Sequence, residues 1–332
     1  MIIGHSERDV PVGVPDAGGL RHNGGMDNYP LPLSMRVIVR DWSSANHILF
    51  LGPERNVLVD SGYGGKVAET LALLKAPDAL ADRPLHWLIN THCHSDHMGG
   101  NAALRREYGC RVTIPVGEAP LIEQWDTLGL WLDYADQRAE PFVFDGTIAP
   151  GDILRLGGLE WRAVAAPGHD MEALMFYCPE EKLLISGDAL WENGFGVVLP
   201  EPPGDFGRLR AARATLEAIA ELDVALLIPG HGRPFTDVPA AVERAQRRVD
   251  AFFADEKRMA RHVLKVMLVF SLLDRGRMAL AELPEFMERV PCYRDYNRFF
   301  FRLPLAELAH MLLDELERAH AVRREGEFLY PT

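Results

Sequence analysis

Hydrophobic and polar positions change their rhythm twice along this chain. From residue 35 the apolar residues come in short β-branched or aliphatic runs separated by polar turns. Runs at 36–40, 47–51 and 56–59 read as consecutive strands. A helix over about 65–75 follows, then a buried strand at 86–90, a short helix at 101–108 stopped by Gly109, and a strand at 111–114. Residues 117–145 interrupt the rhythm with helix-like apolar spacing carrying Trp125, Trp131, Tyr134 and Phe142. Strand-like runs resume at 153–156, 159–165, 173–177 and 182–185, followed by an amphipathic helix over 205–222 and a buried strand at 224–228. Beyond residue 236 helical spacing takes over at 238–260, 262–274, 279–289 and 303–319, and residues 321–330 close as a hairpin around Gly326. No repeat of fixed period is present. The pattern predicts an irregular leader over 1–34, an α/β domain over 35–236 and a mostly helical domain over 237–332.

Composition narrows the classes. The 332 residues are 48% apolar and 25% charged, as in an ordinary globular protein with enough chain for a substantial core. Lys and Arg number 35 against 48 Asp and Glu, a net charge of −13. That balance argues against nucleic acid or an anionic membrane surface as partner, since both demand a basic face. Residues 240–332 are near neutral, with 16 basic and 15 acidic side chains, so the acidity belongs to the first part. Cys93, Cys110, Cys178 and Cys292 are scattered, with no paired spacing, and read as small core residues. The N-terminus lacks a signal-peptide pattern, and the most apolar run, 263–273, contains Lys265 and is about half a membrane span. The expectation is a cytoplasmic protein acting on a small-molecule substrate, with a homodimer as a reasonable assembly.

The chemistry concentrates in His92-x-His94-x-Asp96-His97, directly after a buried strand. Three imidazoles and a carboxylate within six residues suit Zn, Mn or Fe. One ion cannot take all four from so tight a turn, whereas two neighbouring ions can. Further ligand types sit beside glycine at three other strand ends: Gly168-His169, Gly187-Asp188 and Gly230-His231. Each alone would pass for an ordinary turn residue; four in one chain point to a shared metal centre. Asp60, in Val59-Asp60-Ser61-Gly62, closes one more strand.

In this set of motifs the chain resembles the metallo-β-lactamase-fold hydrolase superfamily, over roughly residues 30–235. The resemblance implies a four-layer αββα sandwich with the site at one edge. It implies that His92, His94 and His169 hold one divalent cation, that Asp96, His97 and His231 hold a second, and that Asp188 bridges them. Asp60 would stand behind the ligands and orient one of them. Zinc is the first expectation for both ions, with iron or manganese as alternatives. A hydroxide shared by such ions attacks a carbonyl or phosphoryl centre, with Asp96 accepting from the nucleophile or passing a proton to the leaving group. Cys93 is expected to turn away from the site.

His94, where the oxygen-reducing diiron branch carries Glu, argues against that activity, and the Asp188 and His231 pattern resembles the thioesterase, lactonase, ribonuclease and sulfur-dioxygenase branches. The leading reading is a dinuclear hydrolase of a thioester, lactone or ester. The alternatives are a phosphodiesterase or ribonuclease on the same ions, a mononuclear iron sulfur dioxygenase, and a nucleic-acid-binding or scaffold protein with a vestigial site. The helical tail resembles the winged-helix-like appendage of a β-lactamase-like branch. Trp191, Phe195 and Val197, just past Asp188, are candidates for the substrate wall. Trp125, Trp131 and Tyr134 are candidates for a lid or a dimer contact, and Tyr293, Arg294 and Arg298 for glutathione contacts.

Overall fold

The computed structural model describes residues 31–332, so nearly all of the expected leader, with His5 and His22, lies outside the described residues. Strands β1 (Met35–Ile38), β2 (His47–Leu51) and β3 (Asn56–Val59) form an antiparallel meander. Helix α1 (Val67–Leu74) returns the chain to β4 (Trp87–Ile89), parallel to β3. The one-turn helix α2 (Ser95–Met98) and then α3 (Asn101–Tyr108) lead to β5 (Arg111–Pro115), and helix α4 (Ala119–Gln124) precedes β6 (Gly146–Ile148). These six strands make one sheet in sequential order.

Strands β7 (Ile153–Leu156), β8 (Leu159–Ala165), β9 (Leu174–Cys178) and β10 (Leu183–Gly187) continue as an antiparallel meander. Helix α5 (Gly207–Ala220) crosses to β11 (Leu226–Pro229), which pairs parallel to β10 and completes a second, five-stranded sheet. Helix α6 (Val238–Ala254) follows.

The inner faces of the two sheets meet in one dry core: Ile48, Phe50, Val57, Val59 and Ile89 face Trp161, Phe176, Ile185 and Ile228. Phe50 and Trp161 pack edge to face with ring centroids 5.3 Å apart. The outer face of the first sheet is covered by α1 and α3, through Leu73, Leu74 and Leu104. The outer face of the second is covered by α5 and α6, through Leu216, Ile219, Val242 and Val249. This is a four-layer αββα sandwich. Strands buried on both sides explain why the sequence shows continuous apolar runs rather than strict alternation.

The remainder comprises α7 (Glu256–Arg275), β12 (Met278–Ala279), α8 (Leu283–Arg289), α9 (Pro291–Tyr296), α10 (Leu305–Arg318), β13 (Val322–Glu325) and β14 (Phe328–Pro331). The last three strands make a small antiparallel sheet in the order β12, β14, β13. The sequence puts a helix boundary near residue 261, but the break falls at Asp255. Asp255 leaves helical geometry and its carboxylate caps α7 by accepting from the Arg258 backbone N–H. The core changes within α7 itself. Met259 packs with α5 and α6, whereas Ala260 and the residues after it pack with α8, α9 and α10. Ala135, Val197 and Leu199 of the sandwich join that second core. Residues 117–145 differ from the helix-like expectation: α4 ends at Gln124, and turns with left-handed Trp125, Trp131 and Asp136 follow. No helix among the described residues is long and apolar enough to cross a membrane.

Candidate metal centre

The parallel strands β3 and β4 of the first sheet, and β8, β10 and β11, which share one direction in the second, lead into the site from their C-terminal ends. After β4 the chain bends at Thr91 and His92 and is extended again at His94, and the His92 and His94 rings meet with centroids 4.7 Å apart. The single turn of α2 then re-aims Asp96 and His97. Among the described residues the structure brings His92, His94 and His169 together as one group. Asp96, His97, Asp188 and His231 form another, each with candidate ligand atoms within 4.8 Å of one another.

Asp188, in the loop after β10, sits between the groups. Its Oδ2 lies 3.4 Å from His169 Nε2, and its Oδ1 lies 3.3 Å from His97 Nε2 and 3.7 Å from His231 Nε2. His231 Nε2 is 3.0 Å from Asp96 Oδ2, and His94 Nδ1 is 2.7 Å from His169 Nε2. The Trp191 indole N–H donates to Asp188 Oδ1 at 3.2 Å.

Asp60 is buried with φ +61°, and its carboxylate is fully engaged. Oδ1 accepts the Thr91 backbone N–H at 2.9 Å, and Oδ2 accepts from Thr91 Oγ1 at 2.8 Å and from His97 Nδ1 at 2.8 Å. That bond places the His97 proton on Nδ1 and turns its Nε2 towards Asp188. Two side chains that the sequence reading passed over complete the frame. Asn46 donates to the carbonyls of Pro229 and Gly232, at 2.9 and 2.7 Å, and so fixes the loop that carries His231. Asn90 donates to the His97 carbonyl at 3.0 Å. An isolated Asn next to a strand carries no pattern that separates it from a turn residue. At Gly230 the backbone passes so close to the ligands that a Cβ would stand 2.3 Å from Asp188 Oδ1 and 2.9 Å from His97 Cε1.

Electrostatics divide the two groups. Burial, helped by the neighbouring imidazoles, holds His92 well below the ordinary histidine range and brings His94 down to about 3. Both are therefore neutral and offer lone pairs. Burial also pulls on His97, but Asp60, Asp188 and Asp96 together outweigh it and raise it well above that range. Burial would raise Asp96, yet His97 and His231 bring it down to about 2. The carboxylates of the second group thus favour positive charge at the site, which a cation held at His97 Nε2 would supply in place of a proton.

The donor set fits divalent cations. His92 Nε2 and His97 Nε2 are buried and have no hydrogen-bond partner, a costly state that a cation would relieve. Imidazoles in one group, with imidazoles plus carboxylates in the other, are ligands of the zinc, iron and manganese type.

A cleft of about 540 Å³, partly open to solvent, lies over both groups. Trp191 and Val197 line it, as does Trp131, whose ring stacks on His94 at 4.1 Å between centroids. The structure does not bring Phe195 to the cleft: it is buried against α5 and α6, four residues past Trp191 in a loop whose direction no period reveals. Trp125 packs on Phe142 over the first sheet, and Tyr134 faces the C-terminal core. Tyr293 is fully buried in that core, and neither exposed Arg294 nor exposed Arg298 lines the cleft. Cys93 is buried in the outer core of the first sheet, away from the ligands, and burial pushes its thiol well up. All four cysteines are free.

Known proteins agree with this architecture. The family model of the metallo-beta-lactamase superfamily matches residues 40–231. A hydroxyacylglutathione hydrolase of Nitrobacter winogradskyi is 32% identical over 111 residues, which cover 33% of this chain and 36% of that protein. A beta-lactamase-like protein 2 homolog of Caenorhabditis elegans is 24% identical over 213 residues, covering 64% of this chain and 62% of that one. The chain therefore spans between about a third and two thirds of the length of these curated relatives. Among solved structures, a metallo-beta-lactamase family protein of Thermus thermophilus superposes with a TM-score of 0.53 at 22% identity, covering 91% of this chain and all of that one. The FEZ-1 metallo-beta-lactamase of Legionella gormanii gives 0.54 at 15% identity over 70% of this chain and 99% of that one. With its sandwich, its strand-end ligands and a family match over more than half its length, this chain belongs to the metallo-beta-lactamase superfamily.

Proposed function

We propose that the protein is a dinuclear metal-dependent hydrolase of carbonyl compounds: a thioester, a lactone or an ester. The observation that carries this reading is Asp188, whose two oxygens face two separate ligand groups on the floor of one cleft. His92, His94 and His169 would hold one cation, Asp96, His97 and His231 the other, and Asp188 would serve both. When bound, zinc or a similar cation supplies Lewis acidity that lowers the pKa of water to about 7 and polarises a carbonyl oxygen.

The residues of the chain do the rest. Asp60 holds the His97 proton on Nδ1, so that Nε2 keeps its lone pair. Asp96, pinned by His231 and only partly buried, is placed to accept a hydrogen bond from the attacking water and to hand a proton to the leaving group. Trp131, Trp42 and Trp191 exclude bulk water around the reacting atoms. The C-terminal helices and small sheet, which we read as a winged-helix-like cover, supply part of the cleft wall through α7. The relatives named as hydroxyacylglutathione hydrolases support a thioester-type reaction class.

The test is metal content by elemental analysis together with hydrolysis of a panel of thioesters, lactones, esters and phosphodiesters. We expect close to two zinc, or related, ions per chain and turnover confined to carbonyl substrates. His94→Ala and Asp188→Ala should lose turnover and metal together. Full activity with undiminished metal in either variant overturns the assignment. One iron per chain with oxygen consumption on a sulfur substrate would favour the dioxygenase reading instead.

A further inference from the structure

The walls of the cleft carry a second message, which rests on the hydrolase reading of its floor. Beyond the ligands, its lining is Trp42, Leu130, Trp131, Ala135, Trp191 and Val197, closed by Val266, Met267 and Phe270 of α7. Two ring systems flank one ligand group and one flanks the other. Trp191 meets His231 at 5.2 Å and Trp42 meets it at 6.4 Å, while Trp131 stacks on His94. Phe270 joins this wall by packing on Trp42 at 6.2 Å.

Part of the polar capacity in the wall is already committed. Ser95 Oγ donates to Gln137 Oε1 at 2.9 Å, Gln137 Nε2 donates to the Ala135 carbonyl at 3.1 Å, and the Trp191 N–H is bonded to Asp188. Among the described residues no Lys or Arg lines the cleft. Arg208 approaches Trp131, at 5.8 Å from the ring centroid, without reaching the lining. Arg294 and Arg298, the basic residues that the sequence offered for an anionic substrate, do not line it either.

We infer that the substrate presents an uncharged, apolar acyl or aryl group to the Trp42–Trp131–Trp191–Phe270 wall, and that α7 of the C-terminal module selects for it. An anion held away from the ligand groups would lose its hydration with no cation to replace it, a penalty that a carbon wall cannot offset. Glutathione thioesters, with their distal carboxylates, and phosphodiesters with further phosphates along the strand are therefore disfavoured. Aliphatic and aromatic esters, lactones and thioesters gain from every methylene that the wall covers. The net charge of −13 on the whole chain acts in the same direction.

The experiment uses the metal-loaded full chain and two readouts. Turnover of 4-nitrophenyl hexanoate is compared with turnover of lactoylglutathione. Binding of octanamide and of S-methylglutathione is followed by tryptophan fluorescence, to which three of the six tryptophans contribute from the cleft. We expect kcat/KM for the hexanoate to exceed that for the glutathione thioester by about tenfold or more, the discrimination a hydrophobic pocket reaches with one buried methylene. Octanamide should change the fluorescence saturably, and S-methylglutathione should not. Met267→Gln, at the α7 wall and outside both ligand groups, should weaken octanamide binding severalfold while metal content stays at the wild-type value. Equal or better turnover of lactoylglutathione, or equal binding of the two probes, overturns the inference and leaves the hydrolase reading standing. Octanamide binding without hydrolysis of any substrate overturns the hydrolase reading and leaves only the preference of the wall for an uncharged apolar ligand. Neither binding nor turnover overturns both.

Discussion

Asp60→Asn is the substitution in which the geometry makes the sharpest demand. The side chain keeps its shape, and Asn tolerates the left-handed backbone at φ +61°, so the change is confined to the hydrogen bonding and the charge of one buried carboxylate. The Thr91 backbone N–H, 2.9 Å from Oδ1, is a donor only and claims the amide oxygen. The amide NH2 must then occupy the Oδ2 position, 2.8 Å from His97 Nδ1 and 2.8 Å from Thr91 Oγ1. A hydroxyl can swivel to accept. The imidazole can accept only by moving its proton to Nε2, the nitrogen that faces Asp188 at 3.3 Å. In that tautomer the lone pair needed for a cation is blocked. Loss of such a supporting contact lowers metal affinity about 10–100-fold, or 1.4–2.7 kcal/mol. The assay is a competitive chelator titration resolving two zinc equivalents, combined with nitrogen NMR of the histidine rings. The weaker equivalent should be the one held by Asp96, His97, Asp188 and His231, and His97 should report the other tautomer. Affinity of that equivalent within twofold of wild type, with the proton still on Nδ1, would refute the argument.

Other perturbations probe separate parts of the structure. Gly230→Ala forces a Cβ to within 2.3 Å of Asp188 Oδ1, so metal content should fall while the circular dichroism spectrum stays native; stoichiometric metal in the variant would show that the loop gives way freely. Trp161→Ala empties the centre of the inter-sheet core and should cost about 3–5 kcal/mol in denaturant unfolding, and a loss below about 1 kcal/mol would mean the sheets close over the gap. His262 is held down to about 3 by burial, with Arg248, Lys265 and Arg258 adding to the effect. The unfolded chain takes up a proton there below about pH 6.5 while the folded chain does not, so stability falls with pH from 6.5 towards 3, by at most about 1.4 kcal/mol per pH unit. His262→Phe, beside Phe252 at 5.6 Å, should flatten the acid side of the Tm profile, and an unchanged slope would contradict the assignment.

Local sequence was sufficient to single out the candidate metal-binding residues because their information is local. Turning an imidazole from the end of a buried strand requires only that strand, a glycine and a histidine side by side, and His92 to His97 lie within six residues. The same holds for the sandwich strands, whose apolar runs are bounded by turns, and for the stop of α3 at Gly109, where φ is +63°. What needed the tertiary structure was every relation between distant segments. The cleft wall joins Trp42, Trp131, Trp191 and Phe270, residues separated by up to 228 positions and each ordinary in its own segment. Whether Trp191 or Phe195 faces the ligands depends on how an aperiodic loop folds back on α5 and α6, and the sequence has no periodicity there to decide it. The end of α6 is set by the capping geometry of Asp255, and the sharing of α7 between two cores by what packs on each of its faces. Hydrophobic burial rewards any apolar neighbour, so the sequence names the residues that must be covered, and only the folded arrangement decides which surface covers them.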